Sequence, residues 1–478
     1  MWSRGQAPLH IFETDWLASR PVFYNEKNGI ASHNINDVID YRNLELDPEG
    51  FNNYLDFGYS VLGQTPAKHV KLLRHSSRLL IDENGKVKTE YLADPVNGWL
   101  DYKISEDDAF DLIKAKVRAW EAKVDGEIVI PTSGGYDSRL LNWCIGDKSR
   151  IRSFTYGISE DQTKSYEVVY ARRLAEILGT TWEQIPLGDF HQYFDHWEKL
   201  FGASTHAHGM YHFEFYQKIL PRVEGSNPLL SGLNGDVSAG STHPQTVVSH
   251  HDLNKLGLTR DVSVDIGRSA FQPRYELRQA FWEEHRDKLT DPRYQVILTL
   301  RLKMVLMSFL LRVPALFGFK PWSPFLDIDV SMALLNLPRE RRRKRTWQQE
   351  FFQKHGLDLD SMNLQASKEN TLDLQAMRLI PPTPLDVRLL REVMQPDYVE
   401  WVNRNVQHSW RNQILGGLLG IRKIGGALRR LGFSSGEPQD AYHAYCVLLP
   451  IENLLRKRSS ARLLRCLWTL TLAVAPSL

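Results

Sequence analysis

The residues best suited to chemistry stand in one run, Ile128-Val129-Ile130-Pro131-Thr132-Ser133-Gly134-Gly135-Tyr136-Asp137-Ser138-Arg139. Its apolar start reads as a buried strand, and a helix from Arg139 to Cys144 is expected to follow. Between them lies Ser-Gly-Gly-Tyr-Asp-Ser. Gly134 and Gly135 let backbone close around an anion, and the helix N-terminus offers unpaired N–H groups and the positive end of its dipole. The Ser133 and Ser138 hydroxyls add donors. Asp137 would repel a bare phosphate, so its presence predicts a magnesium ion between carboxylate and anion. The chemistry indicated is that of a nucleotide pyrophosphate. Gly-Lys-Ser/Thr and GxGxxG are both missing, which excludes a Walker loop and a dinucleotide fingerprint.

Three later segments carry related signals. Leu229-Leu230-Ser231-Gly232-Leu233-Asn234-Gly235-Asp236-Val237 reads as a second strand entering a glycine-rich turn. Pro324-Phe325-Leu326-Asp327 follows, and then Ala366-Ser367-Lys368-Glu369-Asn370. Between the two glycine turns, His206, His208 and His212 fall close together. They read as substrate contacts, as ordinary structural residues or as metal ligands. Glu167 stands at an expected helix start, where a carboxylate is favourable for the dipole alone.

Ser133–Ser138 resembles the pyrophosphate loop of the ATP pyrophosphatases. All four segments, in this order, are similar to those of the asparagine synthetase family, which carries Ser-Gly-Glu-Gly-X-Asp-Glu, Pro-Phe-Leu-Asp and a late lysine. Asp15 with Arg20-Pro21-Val22-Phe23-Tyr24, and Tyr54 to Tyr59, resemble parts of that family's glutaminase domain. The likeness runs from about residue 15 to about 458. It implies an α/β fold, a parallel PP-loop sheet of the adenine-nucleotide α hydrolase kind with many added helices. A small truncated Ntn-type antiparallel β domain would precede it.

The resemblance implies roles as well. Ser133, Gly134, Gly135, Asp137 and Ser138 would hold the phosphates of ATP. Asp137 and Asp236 would bind Mg2+. Ser231 and Gly232 would lie against adenosine or the activated carboxyl group. Lys368 would stabilise charge during attack on the α-phosphorus, which makes Lys368, Asp137 and Asp236 the catalytic set. His206, His208 and His212 would approach the substrate. A carboxylate would attack the α-phosphate, giving an acyl-adenylate and pyrophosphate. An amine or ammonia would then give the amide and AMP.

Departures from the family pattern narrow this reading. Leu233 and Val237 replace glutamates, Lys320 replaces another residue of the pattern, and leucine cannot accept a proton. Position 2 is Trp2 and the first cysteine is Cys144, so no N-terminal cysteine nucleophile is expected, and nitrogen would come from outside, with a separate glutaminase as one source. The leading expectation is an AMP-forming amide ligase nearest to asparagine synthetase. The second is an amidating or cyclising enzyme acting on a sugar acid or peptide. The third, of another class, is a non-catalytic nucleotide- or partner-binding protein.

The elements that must position these residues are legible in outline. Residues 1–103 read as strands, with a hairpin at Glu83-Asn84-Gly85-Lys86 and a helix from Pro48 capped by Asp47. Residues 104–458 form the proposed synthetase region. Ser105 opens a helix with Phe110, Ile113, Val117 and Trp120 on one face. A strand at Ile151–Gly157, a helix from Ser165 to Leu178 stopped by Gly179, and a strand at Trp182–Ile185 continue a parallel α/β pattern. Tyr294–Leu311 reads as one long helix. The basic run Arg339–Arg345 reads as a solvated helix start, with an anionic-partner site as the sharper alternative. Ile421–Leu431 is basic and amphipathic and reads as a packed helix or a membrane-surface contact. Residues 459–478 form an apolar tail.

Composition agrees. The 478 residues carry 59 Lys+Arg against 57 Asp+Glu, a net charge of +2, which argues against a nucleic-acid-binding coat. Three scattered cysteines and no secretory pattern at the start suit the cytoplasm.

Overall fold

A computed structural model describes residues 10–225, 227–257, 264–406 and 437–473. The amphipathic run Ile421–Leu431 and the last five residues lie outside them.

Ile128, Val129 and Ile130 are fully buried, as befits a strand covered on both faces. This strand, β7 (Ile128–Pro131), is the middle of a five-stranded parallel sheet with β8 (Ile151–Thr155), β9 (Thr181–Gln184), β10 (Pro228–Leu230) and β11 (Lys320–Trp322). Parallel neighbours need crossover connections, and helices Tyr136–Cys144 and Tyr166–Leu178 supply two of them. Gly179 ends the second in a left-handed conformation, as its sequence predicts.

The strand order is β11-β10-β7-β8-β9. The chain therefore builds outward from β7 to β9, then returns to the other side of β7. The order reverses between β7 and β10, where Val129 pairs with Leu229. Loops leaving two such strands diverge and open a crevice at their carboxyl ends.

Two small antiparallel sheets precede it. One has the order β1-β5-β6 and the other β3-β2-β4, from β1 (His10–Glu13), β2 (Phe23–Asn25), β3 (Ala31–Ser32), β4 (Val70–Leu72), β5 (Ser77–Ile81) and β6 (Val87–Tyr91). The expected hairpin joins β5 to β6, and Asp82 Oδ1 accepts from the N–H groups of Asn84 and Lys86. Asp47 caps helix Pro48–Phe57 by accepting from Gly50 N–H.

These N-terminal elements are welded to the rest. One hydrophobic core runs from Trp16, Tyr54 and Phe57 to Tyr442 and Leu455. The Tyr54 hydroxyl donates to Val447 O at 3.1 Å. Arg278 pairs with Asp56 at 2.5 Å, and Arg301 donates twice to Asp94 at 2.7 and 2.8 Å.

Two readings shift. The segment Tyr294–Leu311 is two helices, Pro292–Met307 and Phe309–Leu316. The break falls at buried Ser308, whose hydroxyl donates to Val305 O and competes for the carbonyl that the helix would use. The helix after β7 begins at Tyr136, ahead of Arg139, because Gly135 is already its extended N-cap. Asp137 thus lies in the first turn. Among the described residues no helix is long and apolar enough to cross a membrane.

Candidate functional site

The loop leaving β7 turns at Gly134, where φ is +68°. A Cβ there would stand 2.4 Å from Tyr170 Cβ, so only glycine permits the close approach. The buried Arg139 guanidinium holds the turn from beneath: Nε and Nη2 donate to Gly134 O at 3.3 and 2.9 Å, and Nη1 donates to Leu357 O at 3.0 Å. The two serines brace it from within. Ser133 Oγ accepts from Gly135 N–H at 3.3 Å. Ser138 Oγ accepts from Ser133 N–H at 3.3 Å and donates to Gly135 O at 3.2 Å. The loop is shaped before any anion arrives.

The turn after β10 packs directly on this loop. A Cβ on Gly235 would lie 2.8 Å from Asp137 Cγ and 2.8 Å from the Phe325 ring. A Cβ on Gly232 would lie 3.3 Å from Asp137 Cβ. The glycines of the second motif are therefore spaced to let the two turns touch, and Asp236 comes close enough for its charge to act on Asp137. Burial pushes the Asp137 carboxyl up to about 6, Arg345 opposes that rise, and the charge of Asp236 adds to it.

Arg345 belongs to the basic run, and its position departs from a solvated helix start. It ion-pairs with Asp137, donates to Gln348 and lies 5.0 Å over the Tyr136 ring. Its backbone is left-handed, φ +59°, after Lys344 at +57°. Arg341 binds Glu106 and Glu350, and Arg342 is buried with Nε donating to Leu337 O. Arg341, Arg342 and Arg345 are thus committed to contacts within the protein, whereas Arg339, Arg343 and Lys344 are exposed, as a solvated helix start would have them.

A cavity of about 520 Å3 opens at the carboxyl ends of β7, β8 and β10. Ser133, Ser231, Gly232, Asp236, His208 and His212 line it. Gly134, Gly135, Asp137 and Ser138 do not; they shape the loop that carries Ser133. His206 is buried beside it, its Nδ1 accepting from His208 N–H at 3.2 Å. Burial pushes His212 down to about 3 and His206 well below the ordinary imidazole range, so both are neutral.

Lys368 does not line the cavity. It is exposed, with Nζ 5.1 Å over the Tyr166 ring. Its segment is anchored to the helix start by Tyr166 N–H donating to Ser367 O at 2.7 Å, and Asn370 two residues on reaches the cavity wall. Glu167 also lines the cavity, its carboxyl raised by burial, and Oε2 has no hydrogen-bond partner. Asp327 and Asp329 both pair with Lys116, at 3.1 and 2.8 Å.

Sequence reasoning missed Asp373 and His443. His208 Nε2 lies 3.1 Å from Asp373 Oδ2. Burial alone would raise the Asp373 carboxyl, but His208, with His443 and His191, holds it below the usual carboxylate range. No local spacing announces this, since the partners are 165 residues apart.

The donor set suits magnesium. Two carboxylates meet beside serine hydroxyls, all hard oxygen donors, and a divalent cation would offset both the burial and the Asp236 charge that raise Asp137. Such an ion must share Asp137 with Arg345 or displace it. No family model matches the chain, and no curated protein matches it.

Proposed function

We propose that the chain is an ATP-dependent, AMP-forming amide ligase on a PP-loop sheet, adenylating a carboxylate before an amine or ammonia forms the amide. The observation that carries this reading is the contact between the Ser133–Ser138 loop and the Ser231–Asp236 turn at the reversal of strand order, above a cavity of about 520 Å3. A preformed glycine loop on a helix N-terminus fits a leaving pyrophosphate. Asp137 and Asp236 would hold Mg2+, which when bound neutralises phosphate charge. Ser231 and Gly232 line the cavity beside Ser133, where a carboxylate and the α-phosphate can meet. Lys368 would have to swing from Tyr166 to reach them.

The acceptor end of the cavity favours a larger acid than aspartate. Leu233 is 3% exposed and fills the place of a family glutamate, and Phe309, Leu310 and Met307 extend an apolar wall. This supports the amidating or cyclising reading, with a peptide or another acid carrying an apolar body as substrate. A cytoplasmic setting and an external nitrogen donor belong to the same proposal.

Pyrophosphate release from ATP and magnesium, measured across a panel of carboxylates with ammonia, tests it. Release with a matching acid, abolished in Asp137→Ala while the protein stays folded, is the expected result. ATP protection against unfolding without any release would indicate a non-catalytic nucleotide binder. No ATP binding at all would end the ligase reading.

A further inference from the structure

A second group of side chains converges at the cavity wall. His208 stands in the turn His208–Met210, Asp373 in the first turn of helix Leu372–Leu379, and His443 on helix Glu437–Ala473. One ligand atom from each lies within 4.8 Å of the other two, and His208 Nε2 is 3.1 Å from Asp373 Oδ2. Metal bonds of about 2.0–2.1 Å place tetrahedral neighbours about 3.3 Å apart. Small side-chain rotations therefore close the set around one ion. Asp373 and His443 are each 5% exposed, so this is not a chance meeting of surface acids.

The scaffold holds these three side chains in register. Ala207 N–H donates to Cys446 O at 2.9 Å, tying the turn that carries His208 to the helix that carries His443. His191 contacts a carbonyl through Nδ1, at 2.7 Å from Ile380 O, so Nδ1 is the donor. Its Nε2 then accepts from the Tyr442 hydroxyl at 2.8 Å. An oriented imidazole thus stands close enough to Asp373 to act on it electrostatically. A hydrogen-bonded His–Asp pair would account for His208 and Asp373. It gives no reason for a second imidazole on the same buried carboxylate.

We propose that His208, Asp373 and His443 bind one divalent transition ion of the zinc class, with a fourth coordination position open to the cavity. Two imidazoles and one carboxylate suit zinc and disfavour magnesium, which prefers oxygen alone. His208 and Asp373 line the cavity, so the open position faces the space where a substrate oxygen, an amine or a water would sit. Three protein ligands and one vacant position are the pattern of catalytic rather than purely structural zinc. The site shares no ligand with the Asp137–Asp236 pair and does not depend on ATP being the substrate.

The test uses the full chain without a polyhistidine tag, stripped with EDTA and titrated with zinc alone. Elemental analysis and calorimetry should show one zinc per chain. Cobalt in its place should give the visible bands of a four-coordinate ion. Both signals should be lost in His443→Gln and Asp373→Asn, with Kd raised at least about 100-fold. Unfolding curves in EDTA establish that each variant is folded. His208→Gln, at the cavity wall, supplies the same test if the buried variants fail to fold. The proposal is overturned if wild type takes up no stoichiometric zinc, if His443→Gln and His208→Gln bind it as wild type does, or if Asp137→Asn removes the uptake instead.

Discussion

Gly134→Ala measures how tightly the loop after β7 is pressed against the helix beneath it. At φ +68° an alanine costs about 1–2 kcal/mol for the left-handed backbone alone. Its Cβ would also stand 2.4 Å from Tyr170 Cβ, 2.7 Å from Tyr170 C and 2.8 Å from Ala171 N. Backbone atoms cannot rotate aside, so overpacking adds about 1–3 kcal/mol. Gly179→Ala provides the control. Its φ is +66°, and nothing lies within 4 Å of the added Cβ, so only the backbone cost of about 1–2 kcal/mol applies. The restriction of the unfolded chain is the same for both variants and cancels. Urea unfolding of the two, at equal slope, should therefore separate them by about 1–3 kcal/mol. Gly134→Ala should also weaken protection by ATP, whereas Gly179→Ala should not. Equal losses, within about 0.5 kcal/mol, would refute the steric account of the loop.

Arg278→Met should cost about 3–5 kcal/mol in urea unfolding, because it strands Asp56, 11% exposed, without its partner at 2.5 Å; Arg278→Met with Asp56→Leu should recover part of that loss. Acid should destabilise the fold below pH 6.5. Burial, with the charge of Arg301, pushes His75 down to about 3, and burial does the same to His212. Between those values the unfolded chain binds protons that the folded chain refuses, so stability falls with falling pH, by about 1.4 kcal/mol per group at pH 5.5, and His75→Asn should flatten urea midpoints between pH 7 and 5.5. Arg345→Met should lower the magnesium concentration needed for half-maximal ATP binding by roughly tenfold, about 1.4 kcal/mol, because a competing cation leaves Asp137; a raised requirement would show that Arg345 serves the nucleotide rather than the carboxylate.

What the sequence shows depends on how far apart the interacting residues are. The Asp47 cap, the Asn84-Gly85 turn and the Gly179 stop each involve neighbours, and all are found as read. The parallel sheet follows from alternation of short apolar runs with helical ones. The helix break at Ser308 was hidden, since a serine in an apolar run gives no sign that its hydroxyl will take Val305 O. The Arg345–Asp137 pair joins residues 208 apart, and the basic run around Arg345 offers several cations with nothing local to choose between them. Asp373 and His443 were equally beyond reach as partners of His208, because only the tertiary fold brings the Leu372–Leu379 and Glu437–Ala473 helices to the turn at His208.

The crevice contains less free positive charge than an anion site suggests. Arg139, beneath the loop, is spent on the carbonyl oxygens of Gly134 and Leu357. Arg345, beside it, is paired with Asp137, and Lys368 lies over Tyr166. Asp236 adds a negative charge at the cavity wall. A polyphosphate entering this crevice would therefore meet backbone N–H groups and a helix terminus, worth about 0.3–1 kcal/mol at an exposed end, against the carboxylate of Asp236 and an Asp137 charge already balanced by Arg345. Those terms do not favour a highly charged nucleotide by themselves. A divalent cation between Asp137, Asp236 and the phosphates reverses the sign of the local field. Nucleotide binding at this loop should thus be strictly magnesium-dependent, and removing the ion should abolish it rather than weaken it. A net charge of +2 over 478 residues is consistent with that arrangement, because the attraction is local and arrives with the ion.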